Sequence, residues 1–175
     1  MKILGFIPAR SGSERLKNKN LKTFLGKPLI YHTIKFAKKI NLDEIFISTD
    51  SKKILNLKNK IGINDYYLRP KKYSGNNSQI TDVILDGINW LLKNKKKSFD
   101  AVMLLQPTTP FRDVKETNRI IKLFKDNKLE SLATVSKVSA HPQHIFQVKK
   151  NGKWSHLLNK RVRSLNKQDL STNFY

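Results

Sequence analysis

The sequence contains no cysteine among its 175 residues. Disulfides and thiolate metal sites are therefore excluded, and the absence fits a reducing compartment. Long hydrophobic runs are also missing. The apolar opening MKILGFIP is shorter than a signal-peptide core, and no stretch approaches the roughly 18 apolar residues of a membrane span. These absences predict a soluble, cytoplasmic protein with no membrane partner.

Acidic residues are scarce: 13 Asp and Glu face 35 Lys and Arg, which gives a formal net charge of +22. Such a charge attracts polyanions, so nucleic acid has to be considered as a partner. The lysines, however, are spread along the chain in short runs such as LKNK, NKKK and KDNK, in apparent loops and helix ends where water would solvate them. We therefore expect a generally basic surface, and nucleic-acid binding is the less favoured alternative.

Hydrophobic periodicity alternates between strand and helix patterns along the chain. Short apolar runs predict strands at residues 3–7, 44–49, 65–69, 101–106 and 132–138. Apolar residues at helical spacing predict helices that begin near Pro28, after Asp50 and Ser51, at Ile80 and at Val114. Strands that are apolar on both sides and alternate with helices indicate a parallel sheet covered on both faces. The predicted fold class is α/β, a three-layer sandwich with a mostly parallel sheet.

Nothing in the sequence marks a domain boundary. The length suits one domain, which would bury about two-thirds of its unfolded surface. From about residue 139 the pattern changes, and two short runs around Asn151–Gly152 predict a β-hairpin. Because no repeat or linker occurs, we expect a single domain over residues 1–175.

Three polar segments follow predicted strands, at the edge of a parallel sheet where ligands bind. The first is PARSGSERLKNKN, residues 8–20. Its small residues at 11–13 would let backbone N–H groups form an anion-binding nest, and Arg10 and Lys19 would add full charges. A polyphosphate fits this arrangement, although the spacing is neither that of a Walker loop nor that of a dinucleotide fingerprint. A plain basic turn remains the alternative.

The second polar segment is RPKKYSGNNSQIT, residues 69–81. It places Arg69 where the third predicted strand ends. Alternatively, the segment is a surface loop that caps the next helix through Asn76, Asn77 or Ser78. Asp50 ends the FISTD run in a comparable place and could hold a ribose or a metal, but N-capping of the following helix explains it more simply.

The third polar segment is QPTTPFR, residues 106–112. Two prolines flank Thr108 and Thr109 and would stiffen a loop that presents Gln106 and the two hydroxyls, unless the segment is only a stiff connector. The histidines of AHPQH, residues 140–144, could bind a metal or move protons, but the absence of a nearby carboxylate favours a plain loop.

Taken together, these blocks resemble the acylneuraminate cytidylyltransferase family, the CMP-sialic acid synthetases. The blocks are IPARSGSERLKNKNLKTFLGKPLIYHTI, FISTD, LRP with a Ser-bearing segment, LLQPTTPFR, HP and KQDL, in the family's order over residues 3–175. The resemblance implies the nucleotide-diphospho-sugar-transferase (Rossmann-like) fold. It also implies the reaction of CTP with a nonulosonic, sialic-type acid to give the CMP-sugar and pyrophosphate, with Mg²⁺ as the cofactor.

The resemblance also implies a role for individual residues. The implied catalytic residues are Lys19 and Arg10. The triphosphate would be held by Arg10, Ser11, Gly12, Ser13 and Lys19, and the cytidine by Asn20, Arg69 and Ser78. The sugar would be held by Gln106, Thr108 and Lys167. Lys167 stands where the family usually has an arginine, so it can meet a carboxylate but lacks the bidentate fork.

The family's chains continue past a QDL-type segment to a late pair of aspartates that bind the metal. The resemblance therefore predicts that the C-terminal metal-binding and dimerisation part is incomplete here, with metal ligands beyond residue 175 and a homodimer where that part is present. Three rivals stay open: a CTP-binding remnant without turnover, a cytidylyltransferase for the sugar acid Kdo, and a basic nucleic-acid-binding protein. The QPTTP loop, in place of an acidic GD-like loop, argues against the Kdo type.

Overall fold

The computed structural model describes residues 1–12, 16–63, 67–135, 146–148 and 151–156. Contacts between residues divide the chain into two compact units, Met1–Leu129 and Glu130–Tyr175. Of the elements described, the first unit holds four α-helices and five strands, and the second holds a two-stranded hairpin.

A parallel three-stranded sheet forms the centre of the first unit. Its strands are β1 (Ile3–Pro8), β4 (Glu44–Ser48) and β5 (Ala101–Leu104), in the order β4–β1–β5. In the register, Phe6 lies beside Phe46 on one side and Leu104 on the other. The predicted strands at 3–7, 44–49 and 101–106 are confirmed, and the most continuously buried of them, β1, takes the central position.

Helices cover both faces of this sheet. They are α1 (Leu29–Ala37), α2 (Lys52–Lys60), α3 (Ile80–Lys95) and α4 (Val114–Asp126). On one face, Ile3 and Ile7 belong to a buried cluster with residues of α1, α2 and α4. On the other face, Leu4 and Phe6 pack with α3. Because successive side chains of a strand point to opposite faces, β1 contributes to both cores, and the three-layer α/β architecture is confirmed.

Helix α3 packs tightly against the sheet at Gly87. A Cβ atom added there would lie 2.7 Å from Cε2 of Phe6 and 2.8 Å from Cε1 of Phe46. These two rings already pack against each other with centroids 5.7 Å apart. Since both rings belong to the central sheet, neither can move away without disturbing it.

We expect Gly87→Ala to lower the free energy of unfolding by up to about 2 kcal/mol. Alanine gains about 1 kcal/mol in helix propensity over glycine, but overpacking a filled core costs about 1–3 kcal/mol. Chemical denaturation measures the difference. The matched control is Asn89→Ala on the exposed side of the same helix, which should be neutral or stabilising. A Gly87→Ala protein more stable than the parent would show that α3 can move away from the sheet.

Two hairpins complete the described structure. In the first unit, β2 (Thr23–Phe24) and β3 (Lys27–Pro28) pair antiparallel, and the backbone φ of Leu25 and Gly26 is positive, as tight hairpin turns require. In the second unit, β6 (Phe146–Val148) pairs antiparallel with β7 (Trp154–His156). The predicted hairpin around Asn151–Gly152 is confirmed, with Gly152 at φ 78°.

Two strand predictions do not hold in the described residues. Residues 67–69, the described part of the run at 65–69, form no strand. Arg69 N donates to Thr49 O at 2.7 Å, one residue past the end of β4, and the following Pro70 has no N–H to continue a ladder. Residues 132–135 are likewise not a strand, and the rest of the run at 132–138 lies outside the described residues.

Candidate functional site

A cavity of about 280 Å³ lies at the carboxyl edge of the sheet. Its volume is near the lower end of the range for small-molecule sites, about 300–1,000 Å³. Strands β1, β4 and β5 run parallel, so the segments that follow them meet at this edge. The lining residues come from all three polar segments of the sequence: Pro8, Arg10, Lys19, Asn20, Arg69, Tyr73, Gly75, Asn76, Ser78, Ile80, Val83, Gln106, Pro107 and Thr108.

The segment after β1 supplies one wall of the cavity. Arg10 Nη1 donates to Asn76 Oδ1 at 2.7 Å, which joins the first polar segment to the second. Lys19 and Asn20 lie in a single 3-10 turn, Lys19–Leu21. Asn20 is buried, and its Nδ2 donates to the backbone oxygen of Arg10 at 3.1 Å. Arg10 is therefore held at its guanidinium by the second polar segment and at its backbone by Asn20, and the 3-10 turn brings Lys19 to the same wall.

Arg69 forms the floor of the cavity and is only 5% exposed. Its Nε donates to Ser48 Oγ at 2.9 Å, and its Nη2 donates to Ser48 O. Burial lowers the pKa of the guanidinium from its ordinary value, and the negative charge of nearby Asp50 is among the influences that oppose the shift. An arginine nevertheless stays protonated in proteins, so Arg69 is a buried positive charge with one edge fixed to β4.

The segment after β5 also lines the cavity, through Gln106, Pro107 and Thr108. The backbone carbonyl oxygen of Gln106 accepts from Thr109 N at 3.2 Å and from Arg112 Nη2 at 2.7 Å. Pro107 is buried, whereas the side chains of Gln106 and Thr108 are exposed toward the cavity that they line. The loop is therefore held by its backbone and presents polar groups, as the two prolines predict.

The second polar segment does not cap α3 through its side chains. The N-cap residue of α3 is Gln79, and it makes no side-chain capping hydrogen bond. Ser78 instead bonds within its own loop, since its Oγ donates to Lys72 O at 3.4 Å. The capping alternative for Asn76, Asn77 or Ser78 is therefore wrong, because the N-cap position is occupied by Gln79.

Asp50 was expected to cap helix α2, and this too is wrong. The N-cap of α2 is Ser51, whose Oγ accepts from Ile54 N at 3.4 Å. Both carboxylate oxygens of Asp50 accept from Ser11 instead, one from its backbone N and one from its Oγ, each at 2.7 Å. The N–H and Oγ of Ser11 are thus already bound to an anion in this structure.

The cavity is strongly positive. Arg10, Lys19 and Arg69 line it, and none of its described lining residues is acidic. Within the described ranges no group of three or more His, Cys, Asp or Glu side chains is placed to hold a metal ion. The arrangement suits a polyanionic ligand that carries polar groups, because fixed cations in a recess concentrate the field.

Most of the implied site residues meet in one place. Seven line the cavity: Arg10, Lys19, Asn20, Arg69, Ser78, Gln106 and Thr108. Ser11 and Gly12 are adjacent in sequence but do not line it, and Ser13 and Lys167 lie outside the described residues. Sequence reasoning missed Tyr73 as a lining residue and treated Asn76 only as a cap. Their position within the second polar segment was the available signal.

The chain belongs to the cytidylyltransferase family, whose model matches residues 4–161. It is 35% identical over 153 residues to the CMP-N,N'-diacetyllegionaminic acid synthase of Legionella pneumophila, a match that covers 87% of this chain and 65% of that protein. It is 30% identical over 152 residues to the pseudaminic acid cytidylyltransferase of Campylobacter jejuni, which covers 86% of this chain and 65% of that protein. The chain thus spans about two-thirds of the length of these relatives.

A solved structure shares the fold. It is CMP:2-keto-3-deoxy-manno-octonic acid synthetase complexed with CTP, with a TM-score of 0.59 and 23% identity over 73% of this chain and 49% of the other. This likeness agrees with the predicted nucleotidyltransferase-type α/β fold. None of the helices in the described part of the chain has the length and apolar character needed to span a membrane.

Proposed function

We propose that this protein is a cytidylyltransferase that activates a nonulosonic, sialic-type acid with CTP, releasing pyrophosphate. The observation that carries the proposal is the recess at the carboxyl edge of the sheet, lined by Arg10, Lys19 and Arg69 and by no described acidic residue. The names of the relatives support the choice of nucleotide and sugar class, because they include CMP-legionaminic acid synthesis and pseudaminic acid cytidylyl transfer.

The reaction that fits this recess needs no covalent intermediate with the protein. The anomeric hydroxyl of the sugar acid attacks the α-phosphorus of CTP and forms the new oxygen–phosphorus bond. The bond from the α-phosphorus to the bridging oxygen breaks, pyrophosphate leaves with the electron pair, and water takes the hydroxyl proton. Catalysis of such a transfer depends on positioning the two substrates and on stabilising the charge of the transition state. In the proposal, Arg10 and Lys19 bind the phosphates, Asn20, Arg69 and Ser78 the cytidine, and Gln106 and Thr108 the sugar.

Mg²⁺, a homodimer and a cytoplasmic location belong to the same proposal. The described residues supply no ligand set for the metal, and both oxygens of Asp50 are engaged by Ser11. We therefore assign no step to Mg²⁺ and propose only that it accompanies the triphosphate.

Thermal-shift titration with CTP, UTP, ATP and GTP, each with and without Mg²⁺ at about physiological salt, tests the proposal. CTP at a hundredfold excess over its Kd should stabilise the protein by about 2.7 kcal/mol. For a chain of this length, that raises Tm by roughly 5–10 °C, whereas the other nucleotides should shift Tm much less. Equal small rises for all four would favour a non-selective basic patch, which steep salt dependence of RNA binding would then support.

A transfer assay then identifies the sugar. The protein is incubated with CTP, Mg²⁺ and N-acetylneuraminic, legionaminic or pseudaminic acid or Kdo, and pyrophosphate release is measured. We expect release with a nonulosonic acid. Release with Kdo alone would overturn the assignment of the sugar class, and CTP-selective binding without release from any of them would leave a nucleotide-binding protein.

A further inference from the structure

Ser48, the last residue of β4, and the two residues that follow it, Thr49 and Asp50, form a hydrogen-bonded segment that links β4 to the segment after β1 and to Arg69. Ser48 and Thr49 are fully buried. The backbone N of Ala9 donates to Ser48 O at 2.8 Å, and Thr49 Oγ1 donates to Ala9 O at 2.6 Å. The pairing of β1 with β4 therefore continues past the end of both strands and fixes the residue that precedes Arg10.

Asp50 fixes the residue that follows Arg10. Its Oδ1 accepts from the backbone N of Ser11, and its Oδ2 accepts from Ser11 Oγ, both at 2.7 Å. Hydrogen bonds to a carboxylate are shorter and stronger than those between neutral groups. The Arg10 backbone is thus held on both sides, and Asn20 Nδ2 holds its carbonyl oxygen at 3.1 Å.

The carboxylate of Asp50 has no competing task in helix α2. Ser51 caps the helix, and the Ser51 backbone N donates to Thr49 Oγ1 at 3.1 Å. Asp50 also does not line the cavity, whereas Arg10 does. Any effect of Asp50 on a ligand in the cavity must therefore pass through Ser11 and the adjacent Arg10, or through its charge.

We propose that Asp50 is a positioning residue for phosphate binding: by holding Ser11, it directs the Arg10 guanidinium into the cavity. The inference rests on the proposed function, because it assumes that the cavity receives the triphosphate of CTP. The opposite role for the same carboxylate is competition. If the phosphates had to displace Asp50 from Ser11, removing the carboxylate would tighten the binding of CTP.

The test compares CTP with cytidine, because only CTP carries the phosphates. Calorimetric titration of the chain at a temperature well below Tm gives the Kd of each ligand. For Asp50→Ala we expect the Kd of CTP to rise about tenfold, because a misdirected Arg10 makes a weaker charge-assisted contact with the phosphates, while the Kd of cytidine stays unchanged. Asp50→Asn keeps one acceptor oxygen and the same shape, so it should raise the Kd of CTP less than Asp50→Ala does.

Asp43→Ala is the matched control. Asp43 is also a carboxylate that accepts a backbone N–H of β1, from Ile3 at 2.8 Å, but it lies at the opposite end of the strand. It should leave the Kd of CTP unchanged even if it destabilises the fold. Ser11→Ala should raise the Kd of CTP when introduced into the parent protein. It should cause no further rise when combined with Asp50→Ala, because the effects of two residues that act through one contact are not additive.

The outcomes separate this inference from the proposed function. If the parent chain binds CTP no better than cytidine or UTP, the proposed function fails and the inference fails with it. If the parent is selective for CTP but Asp50→Ala and Asp50→Asn retain or tighten CTP binding, only the inference is overturned. Equal losses for CTP and cytidine would also overturn it, because Asp50 would then act on the whole site. Should Asp50→Ala not fold, Asp50→Asn and Ser11→Ala decide the question.

Discussion

Replacing Lys19 with alanine is expected to lower kcat/KM for CMP transfer by about 10²–10³-fold, the usual loss when a preorganised electrostatic contact to the transition state is removed. Lys19 lines the cavity from a 3-10 turn, and its ammonium makes no recorded hydrogen bond or ion pair within the described part of the chain. Its charge is therefore available to the phosphates, and its removal leaves no partner unsatisfied. We expect the Tm of the variant without nucleotide to match that of the parent.

The control for this prediction is Lys22→Ala. Lys22 lies three positions further along the same segment, carries the same charge and is exposed, but it does not line the cavity. Steady-state kinetics with CTP and the preferred sugar acid give both values. Full turnover by the Lys19 variant, or an equal loss from Lys22, would show that only the general positive field matters and that the assignment of the loop after β1 is wrong.

Replacing Arg69 with methionine is expected to raise the Kd of CTP and the Kd of cytidine by a similar factor, about tenfold or more. It is also expected to destabilise the fold by about 1–3 kcal/mol. Methionine fills much of the space of the buried side chain but cannot donate to Ser48 Oγ or Ser48 O. Those acceptors lie where no water reaches, since Ser48 is fully buried. Calorimetry measures the two Kd values, and urea unfolding measures the stability.

Arg10→Ala provides the contrast to Arg69. Arg10 makes an exposed hydrogen bond to Asn76 and is assigned to the phosphates. Arg10→Ala should raise the Kd of CTP far more than the Kd of cytidine, and it should change the stability of the fold little. Equal losses for both ligands in the Arg10 variant would move Arg10 away from the phosphates, and a phosphate-selective loss in the Arg69 variant would move Arg69 away from the cytidine.

The N-cap predictions for helices α2 and α3 were both wrong, although each named residues within three positions of the observed N-cap. Asp50 and Ser51 are both good N-cap residues. Their order in the chain does not reveal that Ser11 engages both oxygens of Asp50 and leaves Ser51 as the cap. Similarly, residues 67–69 have the apolar and aromatic content of a strand. The structure uses them instead to bring the buried Arg69 beside Ser48.

The sequence by itself determined the central strands, the four helices, the three-layer arrangement and the segments that form the site. These follow from local patterns: apolar periodicity sets which face is buried, and parallel strands bring the segments at their carboxyl ends together. The family blocks added the expected nucleotide and an expected role for each site residue.

Only the tertiary structure decided which of these residues hold one another. Ser11 and Asp50 are 39 positions apart, Ser48 and Arg69 are 21 apart, and Arg10 and Asn76 are 66 apart. Each pair consists of polar groups whose partner is selected by the geometry of the folded loops, and side chains in such loops have no periodicity from which a contact can be inferred. Hydrophobic burial is non-directional and can be predicted from a pattern, whereas a hydrogen bond needs a particular distance and angle that only the folded chain supplies.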